Sequence, residues 1–295
     1  MLLAAITAVV HSRSRLRGAC AVRRYHRPMS STGTWSQAFG SVGRLPLRWL
    51  AGWWRIVEFG AIVLVLAMAP SSWRGGIGPA LSRHVYLDTV PILGWFTALC
   101  ALLTLVITRI VVVTAYSYGL SQYALEMVIR VLVLELIPLT ATLFVALRCT
   151  IPNGAALAEM RRSGRFDALH QQGLDPVVRE VLPRVVAGVF SALTLAALSC
   201  VVALTLAYFA VYGTSTAGLA GYTRMFGHVF NPAVSLIFVL KTLFFSLAVS
   251  VIPMASALYD LEGDGSRESA ALQGLVRMFA VLLLIEAVSL VGNYY

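Results

Sequence analysis

Several ionisable residues stand inside or at the edge of long apolar stretches. Glu126, Arg130 and Glu135 lie within residues 124–147, Arg109 and Arg148 sit at stretch ends, Lys241 is the only charge in 229–259, and Arg277 and Glu286 interrupt 270–291. A charge in apolar surroundings is costly, so each such residue either handles a polar group of a ligand or pairs with an opposite charge. Glu135, the deepest, lines a cavity or accepts from a neighbouring helix. Lys241 snorkels to the surface or pairs with an acid such as Glu286. Arg109 and Arg148 are placed to snorkel. His84, His170 and His228 are scattered and form no metal or acid–base constellation. Cys20, Cys100, Cys149 and Cys200 are far apart and show no metal-binding spacing. No Gly-Lys-Ser/Thr phosphate loop occurs, so any ATP hydrolysis would come from another chain, and no cofactor is expected in this one.

The most polar stretch beyond the N-terminus is ALAEMRRSGRFDALHQQGLDP, residues 156–176. Its alanines, Leu157, Met160, Phe166 and Leu169 predict a short amphipathic helix over 156–174, broken at Ser163-Gly164. Gly173 is placed to end it, and Asp175-Pro176 to begin the next helix. Such a helix docks into a groove of a soluble partner or lies on lipid headgroups.

The elements that carry these residues follow from composition. The chain has 295 residues, 59% hydrophobic and 12% charged, with mean hydropathy +0.81. A soluble domain carries about 25% charged residues. One core cannot hide this much apolar surface, so a membrane is the expected solvent. The net charge of +10 then reads as topology and headgroup contact, and nucleic acid is not an expected partner. Five apolar stretches, at 89–108, 124–147, 185–212, 229–259 and 270–291, read as spans. Residues 42–69 mix Arg44, Arg48 and Arg55 with Trp49, Trp53 and Trp54, then run apolar for too short a distance to cross. They predict an interfacial or re-entrant helix. Residues 1–40 read as a basic, disordered cytoplasmic tail, with Met29 an alternative start; residues 41–295 read as one membrane domain. Pro138, Pro232 and Pro253 are expected to kink spans. Arginines cluster in the tail and in the 150–184 loop, which places both in the cytoplasm and the C-terminus outside. The fold class is therefore an all-α integral membrane protein: an N-terminal interfacial or re-entrant helix, about five transmembrane helices, and a cytoplasmic helix between spans two and three.

Two stretches carry a family resemblance. Residues 158–188, AEMRRSGRFDALHQQGLDPVVREVLPRVVAG, resemble the MlaE/YrbE family of ABC-transporter permeases at Ala158, Glu159, Asp167, Ala168, Leu169, Gly173, Asp175, Pro176, Pro183 and Arg184. Arg165-Phe166 stands where the family has Glu-Gln. Residues 134–148, LELIPLTATLFVALR, resemble its Arg-Glu-Leu-Gly-Pro segment at Glu135, Leu136, Pro138, Leu143, Ala146 and Arg148, with Leu134, Ile137 and Leu147 departing. Beyond Tyr259-Asp260 the family's Gly/Ala/Thr-rich segment is replaced by LEGDGSRESAALQG.

The resemblance implies a homodimeric permease of a bacterial inner membrane. It would work with a separate ABC ATPase, a STAS-domain protein and a periplasmic MCE-domain protein, and move phospholipid or a similar hydrophobic substrate. It implies an ATPase-coupling role for Glu159, Met160, Arg162, Arg165, Asp167, Leu169 and Asp175. Glu135, Arg109, Leu102 and Leu105 would line a lipid cavity. Pro138, Arg148, Pro176, Pro183 and Arg184 would be structural. The competing reading is a non-transporting structural or assembly protein derived from this family, which the lost Glu-Gln pair and C-terminal segment keep open. A membrane-embedded enzyme would need convergent acid, base or thiol groups inside spans, and only isolated charges are found.

Overall fold

The computed structural model describes residues 44–73, 77–119, 121–259 and 267–294, so the expected N-terminal tail lies outside the described residues. The described residues are helical and contain no strand. Helix α1 (Arg44–Met68) and the short α2 (Pro70–Trp73) precede α3 (Gly78–Ser117). Then come α4 (Tyr123–Arg162), α5 (Arg165–Gln171) and α6 (Val177–Tyr212). A single turn, Thr216–Gly218, leads to α7 (Leu219–Val229), α8 (Pro232–Tyr259) and α9 (Arg267–Tyr294). Residues 49–295 form one unit.

Five of these helices are long and apolar enough to cross a membrane: α3, α4, α6, α8 and residues Leu272–Asn293 of α9. The surface supports that reading. Trp95, Leu102, Val201, Leu236 and Leu283 are all exposed. In water so broad an apolar exterior would be an association surface; in a bilayer it is the face that lipid covers. The chain is a multi-pass membrane protein.

The spans run longer than the hydropathy pattern suggested. Helices α3 and α4 each have 40 residues, about 60 Å at 1.5 Å per residue, against a hydrocarbon core of about 30 Å. Both therefore reach past the apolar layer, which lets charged residues continue a helix that hydropathy alone would end.

Proline shapes α4 and α6. A proline inside a helix has no N–H to donate, and its ring crowds the carbonyl four residues back. Each of three i→i−5 turns is followed by a proline at the second residue beyond it. Ile137 N–H reaches Leu132 O before Pro138, Ile151 N–H reaches Ala146 O before Pro152, and Leu182 N–H reaches Val177 O before Pro183. The wider turn gives the ring room without breaking the helix. Pro253 lies inside α8. The expectation that Pro232 kinks a span is corrected: Pro232 opens α8, and the preceding Asn231 caps it, with Val234 N–H donating to Asn231 Oδ1 at 2.9 Å.

The bundle has two apolar cores. Ile92, Phe96, Leu125, Ile129 and Leu195 centre the first, between α3, α4 and α6. Phe59, Leu157, Leu182, Phe245, Met254 and Met278 centre the second, which adds α1, α8 and α9. Between lipid-embedded helices there is little hydrophobic drive, so close backbone approach does the work. Three glycines supply it along one stretch of α8. A Cβ at Gly188 would stand 2.8 Å from Ser250 Oγ, one at Gly154 3.1 Å from the Pro253 carbonyl oxygen, and one at Gly274 2.8 Å from Ser256 Cβ. Helices α6, α4 and α9 thus converge on α8 at the end of the bundle that carries residues 163–176.

Candidate functional site

Among the described residues, two polar assemblies stand out within the bundle. The first lies within the spans. Lys241 of α8 is buried at 3% exposure. Its ammonium contacts Glu135 of α4 and lies 2.9 Å from Glu286 Oε2 of α9. The same Nζ donates to the Leu134 carbonyl at 3.3 Å. That carbonyl is four residues before Pro138, so proline removes one donor and lysine supplies another. Asn293 Nδ2 donates to Glu135 Oε1 at 3.5 Å, and the Phe245 ring centroid lies 5.6 Å from Nζ. The snorkelling alternative for Lys241 is thereby excluded; it is the paired alternative, with Glu135 as well as the expected Glu286. Leu102, Leu105 and Arg109 lie on the exposed face of α3. Glu135 instead turns to α8 and α9, so within one chain the four expected cavity residues do not share a wall. Arg130 pairs within its own helix with Glu126 at 3.0 Å.

The second assembly surrounds residues 163–176. The helix expected over 156–174, broken at Ser163-Gly164, is two pieces, the first of which belongs to α4. Residues 156–162 are the last turns of α4, and α5 is a separate short helix. The break falls at Gly164 (φ 72°), as expected. Gly173 (φ 75°) ends α5. Asp175 Oδ1 accepts from Val177 N–H at 2.9 Å and caps α6. The chain reverses here because glycine carries a left-handed backbone at little cost on both sides of α5. Around the loop, Arg162, Arg165, Asp167 and Asp175 are exposed, as is Glu159, while Leu169 is half-buried. Phe166 packs onto the second core and fastens α5 to the bundle.

Beneath the loop lie contacts that the sequence pattern did not reveal. Asp88 of α3, 8% exposed, accepts from Asn153 Nδ2 at 3.0 Å, and Cys149 Sγ approaches the Asp88 carbonyl at 3.3 Å. Arg184, 6% exposed, pairs with Glu180 at 3.2 Å. Its guanidinium also lies 3.8 Å from Met160 Sδ. Arg161 Nη1 donates to the Leu258 carbonyl. Of the expected structural residues, Pro176 and Pro183 are buried at the start of α6, Pro138 is buried in α4, and Arg148 is exposed. Met160 and Asp175, expected to face a partner, are occupied within the chain.

At the opposite end, Tyr222 of α7 donates its hydroxyl to the Leu204 carbonyl at 2.9 Å. Burial pushes its phenol above the ordinary range. Tyr208 and Tyr222 rings meet edge-on at 5.2 Å and hold α7 against α6.

Among the described residues, five helices able to cross a membrane, with paired charges between them and a short polar helix on one loop, make this an α-helical multi-pass membrane protein. The family model described as Permease MlaE matches residues 81–291, and the chain belongs to that family. No curated protein matches the chain.

Proposed function

We propose that this chain is the permease subunit of an ABC transporter that moves phospholipid or a similar hydrophobic substrate between a bacterial inner membrane and a periplasmic MCE-type carrier. A separate ATPase supplies ATP hydrolysis, a STAS-domain protein accompanies the ATPase, and two copies of the chain form the working unit. The N-terminus and residues 163–176 face the cytoplasm, and the C-terminus faces the periplasm, as the arginine distribution favours.

The observation that carries the reading is α5. It is a seven-residue helix set between Gly164 and Gly173, and it presents Arg165, Asp167 and His170 outward. It gives the core only Phe166, with Leu169 half-buried. A helix that contributes so little to its own fold is suited to a partner's groove, where charged neighbours fix its orientation. Substrate handling fits the remaining geometry. Lipid tails need apolar walls and a headgroup needs a few polar contacts. Facing copies would supply such walls from the exposed Leu102 and Leu105 of α3, with Arg109 on the same face.

The test is purification of the tagged chain in mild detergent, with identification of bound proteins and lipids. An ATPase, an MCE-domain protein and bound phospholipid are expected. Ser163→Asp with Gly164→Asp should abolish ATPase capture while the spans remain folded, because a Cβ at Gly164 meets nothing within 4 Å and Asp tolerates its backbone. Isolation of the chain with neither ATPase nor lipid, under conditions that keep a known ABC complex whole, would overturn the reading in favour of the structural one.

A further inference from the structure

The last turns of α4 are tied to three other spans by three separate contacts. Asn153 holds Asp88 of α3 at 3.0 Å. Met160 receives the Arg184 guanidinium of α6 at 3.8 Å. Arg161 reaches the Leu258 carbonyl of α8. These residues immediately precede the 163–176 loop. Helix α6 follows the loop directly, so a displacement of the loop reaches it through the backbone as well. Helix α3 has no such adjacency, and any motion of the loop must reach it across side-chain contacts.

We propose that Asp88 is a positioning residue of the transport cycle: through Asn153 it locks α3 to the inner turns of α4, so that both helices move together when the ATPase displaces residues 163–176. The inference rests on the function proposed above. Two features of the contact favour a role beyond packing. One residue further along α3, Thr89 and Ser191 already join α3 to α6 by a neutral hydrogen bond of 2.7 Å, so simple attachment needs no carboxylate. An ionised acceptor is costly to bury, and it gives a stronger and more directional bond than a hydroxyl. The bond also lies in a close-packed part of the bundle, next to Gly154, where an added Cβ would stand 3.1 Å from the Pro253 carbonyl oxygen. Close packing there transmits displacement instead of absorbing it.

The experiment reconstitutes the full-length chain with its copurifying ATPase in vesicles of phosphatidylethanolamine and phosphatidylglycerol carrying a fluorescent phosphatidylethanolamine. The readout is lipid moved per ATP hydrolysed. Asp88→Leu should leave complex assembly and ATP hydrolysis in place and lower the ratio about tenfold, within the range of site-to-site coupling. Asp88→Asn, which keeps a neutral acceptor for Asn153 but loses the carboxylate, should recover only part of it. A purely structural residue would lower yield and both activities together and leave the ratio unchanged. Should Asp88→Leu not fold, Asn153→Leu breaks the same bond from α4 and should give the same fall. An unchanged ratio in a folded Asp88→Leu or Asn153→Leu complex overturns this inference alone. Failure of the wild-type chain to capture any ATPase overturns the proposed function, and this inference with it.

Discussion

Lys241 Nζ and Glu286 Oε2 lie 2.9 Å apart between α8 and α9, with the lysine side chain 1% exposed and the glutamate 15%. With Glu135 on the other side, one ammonium joins three spans. In a bilayer the ammonium is tolerated because carboxylates face it from two helices, and it holds the helices in one register. Replacing Lys241 with Met keeps much of the volume but strands two carboxylates. The expected loss is about 3–5 kcal/mol, the cost of breaking a buried pair from one side. Thermal unfolding in detergent should show the fall, and an unchanged midpoint would rule out the three-helix tie.

Gly188 is predicted to be intolerant of a single methyl group. Its added Cβ would meet Ser250 Oγ at 2.8 Å and Thr150 Cγ2 at 3.0 Å, both on packed helices. Gly188→Ala should cost about 1–3 kcal/mol by overpacking, and adding Ser250→Ala should recover part of it. Gly164→Ala is the contrasting case. It meets nothing within 4 Å but sits at φ 72°, so it should cost about 1 kcal/mol from backbone strain alone, with no rescue by any neighbour. No recovery of the Gly188→Ala loss by Ser250→Ala would contradict the close approach of α6 to α8.

Asp175 caps α6 through Val177 N–H. Asp175→Ala should cost about 0.5–2 kcal/mol, and Asp175→Ser should restore most of it. Hydrogen exchange resolved to single residues should show faster exchange confined to the first turn of α6. Acceleration spread along the whole helix would mean that the cap holds more than its own turn.

Much of the loop was legible because its signals are local. Gly164, Gly173 and Asp175-Pro176 each act within four residues, and each ends or starts a helix where the sequence said it would. The span cores were legible for the same reason, being runs of apolar side chains. Asp88 was not, because the acid itself cuts the hydropathy run at residue 89. Only the real length of α3, about twice the bilayer core, shows that a helix can carry a carboxylate past that limit. The partners of Lys241 were half legible. An acid was expected, and Glu286 was named, but Glu135 lies 106 residues away and no spacing rule reaches that far. Pro232 was misread because it was placed inside an apolar run that begins at Val229. The Asn-Pro pair at 231–232 marks a helix start, and the local signal outranks the run.

The three-residue charge cluster also predicts a non-additive result. Two carboxylates share one ammonium, so either acid alone can balance Lys241. Glu286→Gln leaves the Lys241–Glu135 pair with its Asn293 contact, and Glu135→Gln leaves the Lys241–Glu286 pair. Each single change should therefore cost little, about 1 kcal/mol or less, since it removes a negative charge that has no second cation to balance it. The double variant leaves the ammonium buried with no anion, facing only neutral acceptors: the Leu134 carbonyl and the two new amide oxygens. Its loss should exceed the sum of the singles by about 2–3 kcal/mol, a coupling expected only for groups in direct contact. Adding Lys241→Met to the double variant should then restore stability, because the last buried charge is gone. Additive losses in the double variant, or no recovery in the triple, would mean that the two glutamates do not serve the same lysine.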